Sequence, residues 1–161
     1  MAYDPEPWHD FAVMLGGASA ALAGLVFLGL SLHAAAVAAD DLHRTRARNL
    51  TAGILSVTIV CALILVPGQG HRWLGGEVVV VGCLLTALFA TPLLRFGDRV
   101  TGELRVRMLV ALAACLLTVA AGASLAAHVG AGLYLLVPAA AVGLAMNVFG
   151  AWSLLVGLAR R

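Results

Sequence analysis

No lysine occurs in this chain, and charge of either sign is sparse: Asp, Glu and Arg together make up 11% of its 161 residues. Soluble domains carry about 25% charged residues, so the polar surface is too small to cover a water-facing globule. The three cysteines, Cys61, Cys83 and Cys115, form no C-x-x-C pair, and each falls inside an apolar run. That excludes the spacing of a zinc or dithiol motif and leaves them as small hydrophobes. A phosphate-binding loop, a carboxylate pair within an apolar run and a mid-run histidine pair for haem are also missing. No cofactor is expected.

What the chain does contain is hydrocarbon: 62% of its residues are hydrophobic and the mean hydropathy is +1.01. Five apolar runs cover residues 11–37, 50–66, 78–94, 108–127 and 133–159. The first, FAVMLGGASAALAGLVFLGLSLHAAAV, has 27 residues without a formal charge. At about 1.5 Å per residue it makes about 40 Å of helix, more than the ~30 Å hydrocarbon core requires. The second and third runs sit near the lower limit for spanning. The expected fold is all-α, a membrane-embedded bundle of five transmembrane helices forming a single domain over residues 1–161. The start, MAYDPEPWHD, is acidic where a secretory signal is basic, so the first run reads as an uncleaved helix. Asp40–Arg48 reads as a polar turn, Pro67-Gly68 as the end of the second run, and His128–Gly132 as a tight turn.

Arginine sets the orientation. Arg44, Arg46, Arg48, Arg95, Arg99, Arg105, Arg107, Arg160 and Arg161 fall on one side of a five-span layout, and only Arg72 falls on the other. Basic residues of short loops stay cytoplasmic, which puts the N-terminus outside and the C-terminus inside. With Asp4, Glu6, Asp10 and Glu77 outside, the outer side carries −3 and the inner side +5. Trp8, Trp73 and Tyr134 fall at outer ends and Trp152 in the inner part of the last helix, as interface anchors.

The runs hold no Asp, Glu or Arg. Proton- and ion-coupled carriers place an ionisable group in the membrane, so a conventional proton relay is not expected. His33 is the one histidine within a run, near the headgroups. Small residues instead form faces: Gly16, Gly17, Ala20, Ala23 and Gly24 in the first helix; Cys115, Thr118, Gly122 and Ala126 in the fourth; Ala140, Gly143, Asn147, Gly150 and Ala151 in the fifth. Such faces let backbones approach closely, within one monomer or between molecules. Asn147 lies mid-helix and calls for a hydrogen-bond partner in another helix or for a ligand. Pro92 and Pro138 should bend their helices and free a backbone carbonyl each. Thr58, Thr86 and Thr118 could line a weakly polar path.

His9, His71 and His128 share the outer side with Asp10 and Glu77 and are weak candidates for zinc or pH sensing. Their spacing matches no ligand motif, and no metal site is expected. Asp40, Asp41 and His43 are a weaker inner set. Ser124 and His128 are four apart, at the spacing of a dyad, with no oxyanion hole in view. The arginines of 95–107 can attract anionic lipid headgroups. Asp98 and Glu103 interrupt that run, and nucleic acid is not expected as a partner.

The opening WHDFAVMLGGASAALAGLVFLGLSLH, with the Arg-bearing turn after it, resembles the first helix of small, uncharacterised bacterial multi-pass membrane proteins. The likeness covers mainly residues 8–48. It implies a bacterial cytoplasmic (inner) membrane location and brings no catalytic or binding residues. The expected function is that of a non-enzymatic integral membrane protein acting through helix–helix association, as a homo-oligomer or an accessory subunit, in contact with membrane lipids. The alternative is a small oligomeric channel or facilitator.

Overall fold

The structure, a computed structural model, describes residues 2–96 and 102–159, with side chains through Gly157. Asp98, Arg99, Arg160 and Arg161 of the charge count lie outside the described residues. Regular structure among them is helical throughout: α1 His9–Leu32, α2 Ala34–Ala38, α3 Asp41–Ile64, α4 His71–Arg95, α5 Gly102–Ala127 and α6 Leu136–Ala159. Single 3₁₀ turns at Glu6–Trp8 and Gly132–Leu135 precede α1 and α6. Five of the helices are long and apolar enough to cross a membrane.

The first run is not one continuous helix. His33, at φ −114° and ψ 23°, separates α1 from α2. In an unbroken helix its backbone N–H would bond the Gly29 carbonyl; here it bonds Leu30 O, and its own Nδ1 lies 3.1 Å from Gly29 O. The imidazole substitutes for a backbone donor and the helix breaks.

The supposed polar turn at 40–48 is largely helical. Asp40 is extended and its carboxylate accepts the Leu42 N–H at 2.9 Å, an N-cap that starts α3 nine residues before the apolar run. Asp40 with His43 at 3.4 Å and Asp41 with Arg44 at 3.2 Å reinforce the first turn. Helix α4 likewise begins at His71 rather than near residue 78, and α5 at Gly102 rather than 108.

Two proline expectations resolve differently. Pro138 lies in the first turn of α6, where a missing N–H interrupts no intrahelical bond. Pro92 is fully buried inside α4, one turn before its end.

Helices α3, α4, α5 and α6 close a ring, each packed on the next, and α1 lies outside it against α3. The tightest joint is α4 on α5. A Cβ on Gly75 would stand 2.5 Å from Ala126 N, one on Gly82 2.9 Å from Val119 N, and one on Gly122 2.7 Å from Val79 N. These are backbone contacts that glycine alone permits. Gly75 and Gly122 are buried, within two turns of the histidine-bearing end of the bundle. On the other side, Gly16 faces Cys61 across α1 and α3, and Ser19, fully buried, bonds Thr58 Oγ1 at 2.8 Å. Gly150 sits against Leu50 where α3 meets α6.

Candidate functional site

Inside the ring runs a half-open cleft of about 780 Å³, counting the space at its open side. Trp8, Phe11 and Leu133 line one end; Val57, Phe89, Ala114 and Ala140 line the walls. Its polar side chains are Ser56, Cys61, Cys115, Thr118 and Asn147, with the indole of Trp8 at one end. The hydroxyls and the amide are turned back onto their own helices: Ser56 Oγ donates to Gly53 O at 2.7 Å, Thr118 Oγ1 to Ala114 O at 3.0 Å, and Asn147 Nδ2 to Gly143 O at 2.8 Å. A helix surrounded by hydrocarbon satisfies its polar side chains in this way. The cleft therefore offers few donors and a continuous apolar wall.

Asn147 is 5% exposed. Its amide lies flat on α3, where a Cβ on Gly53 would meet Nδ2 at 2.5 Å and Oδ1 at 2.8 Å. The interhelical contact is steric, while the hydrogen bond stays within α6. Gly143 leaves open space beside it. Of the three threonines, only Thr118 reaches the cleft; Thr58 bonds Ser19, and Thr86 donates to Gly82 O at 2.8 Å.

Phe89, Ala111 and Asn147 also line a second space, of about 540 Å³, at the other end of the ring. Around it stand Arg46 and Asn49 from α3, Pro92 from α4, Arg107 from α5, and Met146 and Ser153 from α6. Arg46 donates to Ser153 Oγ at 3.2 Å, and Arg107 pairs with the exposed Glu103. Two like charges lining one partly buried cleft is an unfavourable arrangement unless an anion shares it.

Asn49 joins this mouth to the fold. Pro92 has no N–H, so the Leu88 carbonyl one turn back loses its helical donor. Asn49 Nδ2 supplies the replacement from α3 at 3.0 Å. The price is paid at the other amide atom: Asn49 Oδ1 is buried and has no hydrogen-bond partner among the described residues. Sequence reading found Pro92 and the freed carbonyl, but not its donor.

At the opposite end, His128 adopts φ 59°, with Gly130 and Gly132 also at positive φ. Ser124 closes this turn, donating to Val129 O and accepting the Gly132 N–H at 3.0 Å. It makes no dyad with His128. The His128 ring stacks on Tyr3 at 4.2 Å and meets His71 edge-on at 4.7 Å. Two of the three outer histidines are thus brought together, and His9 makes none of these ring contacts. Among the described residues no group of three His, Cys, Asp or Glu is placed to share a metal ion. The Ala2 carbonyl accepts the Leu133 N–H at 2.8 Å, Tyr3 donates to Gly130 O, and Trp8 packs edge-on against Tyr134 at 4.9 Å.

No protein-family model, curated protein or solved structure matches this chain.

The faces expected from small residues divide. Gly16, Gly122 and Gly150 are consumed by packing within the chain, whereas Gly17 and Gly24 have nothing within 4 Å of a built Cβ, and Ala20 beside them is exposed.

The Asn49–Leu88 bond makes a testable prediction. Asn49→Leu should destabilise the protein by about 1 kcal/mol, within the range known for interhelical bonds in membranes. In a Pro92→Ala background, which restores the helical donor, the same change should cost clearly less. Unfolding of the four proteins in mixed micelles measures this coupling, and additive effects would refute the bond.

Proposed function

We propose that this chain is a non-enzymatic integral membrane protein that holds an apolar molecule, such as a lipid chain, within the ring of α3 to α6. The observation that carries the reading is the cleft's self-satisfied polar lining. A water or ion path needs polar groups facing the solute, and here Ser56, Thr118 and Asn147 each give a donor to their own backbones.

Membrane embedding is supported by the outer surface. Leu25, Phe27, Leu84 and Leu94 are all more than 60% exposed on helices of high hydropathy. In water such a surface would drive association; in a bilayer it is the ordinary lipid-facing side. The arginine count supports an N-terminus outside and a C-terminus inside. The bacterial cytoplasmic membrane as location rests on the resemblance of residues 8–48 alone.

A second reading is self-association, or docking on another membrane protein, through α1. The open strip of Gly17, Ala20 and Gly24 favours it, because small residues at this spacing allow close helix approach.

Three measurements test these readings. A diazirine-bearing fatty alcohol, photolysed in membranes holding the full chain, should mark residues of the cleft, among them Ala114, Thr118 and Ala140. Gly143→Leu should reduce that labelling severalfold by filling the space; marks on the outer surface alone would reject the cleft. Tags at the two ends of the chain should be accessible from opposite faces of intact cells, and accessibility from one face would overturn the orientation. Crosslinking in native membranes should give a dimer that Gly24→Leu abolishes, and a monomer in both proteins removes the second reading.

A further inference from the structure

The cleft and the arginine mouth share Phe89, Ala111 and Asn147 as lining and so adjoin; taken together they are apolar along most of their length and cationic at one end. That profile is the negative image of an amphiphile. Arg46 is the sixth residue of α3. At about 1.5 Å per residue it sits roughly 8 Å along the helix, comparable to the depth of a headgroup layer. Its guanidinium is held by Ser153 Oγ, a neutral acceptor, and has no carboxylate partner among the described residues. Arg107 comes to the same mouth from α5, with Glu103 as its one ion pair among the described residues.

A second, independent observation points to a ligand at this place. Asn49 is 5% exposed, lines the mouth, and carries a buried Oδ1 that accepts nothing from the described residues. Turning the amide over would set oxygen against the Leu88 carbonyl and lose the bond that answers Pro92. The unmet atom is therefore an acceptor, and a buried acceptor without a donor is a substantial penalty. A phosphate alone would not relieve it; a hydroxyl would.

We propose that the mouth binds the head of an anionic phospholipid that carries a hydroxyl, its phosphodiester between Arg46 and Arg107, its hydroxyl donating to Asn49 Oδ1, and one acyl chain in the cleft. Guanidinium is the side chain suited to phosphate oxygens. The proposal rests on the reading of the cleft as an apolar-ligand site and adds the class of its occupant.

The test is lipid competition on the purified full chain in detergent, read as lipid adducts by native mass spectrometry. Chain-matched phosphatidylglycerol should be retained over phosphatidylcholine by about 25-fold, each arginine contributing about fivefold. Arg107→Gln should lower that preference about fivefold, and Arg46→Gln with Arg107→Gln should leave only the smaller preference that the hydroxyl bond to Asn49 supplies. Arg105→Gln, an exposed arginine outside the mouth, should leave it unchanged. Asn49→Leu should erase the preference for phosphatidylglycerol over phosphatidylmethanol, which has the same charge and no headgroup hydroxyl. If Arg46→Gln fails to fold, Arg107→Gln carries the arginine test alone. Equal retention of phosphatidylglycerol and phosphatidylcholine would overturn the proposal, as would equal losses in Arg105→Gln and Arg107→Gln, or displacement by inorganic phosphate at matched concentration. Because the fatty alcohol is uncharged, its labelling in Arg46→Gln/Arg107→Gln reports on the cleft separately, so the two readings fail independently.

Discussion

A backbone carbonyl surrounded by hydrocarbon must find its donor within the protein, because no water is there to supply one. On the proposed membrane placement, much of the polar chemistry of this chain follows from that constraint. Ser56, Thr86, Thr118 and Asn147 spend their hydrogens on their own helices. Where proline removes a donor, α3 lends Asn49 to α4. That loan fixes the rotation of α3, since the residue that reaches Leu88 also determines that Arg46, three positions earlier on a neighbouring face, turns toward the same mouth.

Shape follows from glycine. Gly75, Gly82 and Gly122 bring α4 and α5 to backbone contact, while Gly53 and Gly150 set α6 against α3 with Asn147 and Leu50 filling the gaps. Two close joints and two looser ones leave a space along the ring axis. The void is thus a product of uneven helix spacing, and it lies where Gly143 and the small side chains Ala114 and Ala140 face inward.

Architecture was legible in the sequence because hydropathy is summed over whole helices: each of the five apolar runs corresponds to a helix long enough to span. Helix starts were less legible. Asp40 caps α3 and places residues 41–48, six of them polar, on helical turns that composition alone reads as loop. That misreading hid Arg46 as a site residue, since an arginine in a loop signals orientation and an arginine on a ring-facing turn does more. Gly75 was passed over for a similar reason: it stands in a glycine-rich stretch, and only the approach of Ala126 shows why a side chain is excluded there. Asn147 was visible as a buried amide, but its choice of Gly143 over a neighbouring helix depends on the flat seat at Gly53, a three-dimensional fact.

The bond from Leu133 N–H to the Ala2 carbonyl ties residues near the start of the chain to a turn made 131 positions later. A ribosome delivers Ala2 131 residues before Leu133. Until then the opening segment lacks this partner, and Trp8 cannot meet Tyr134. The histidine-bearing end of the bundle is therefore completed only once the turn before α6 has been made, so the nascent protein keeps that end ajar until α6 can follow.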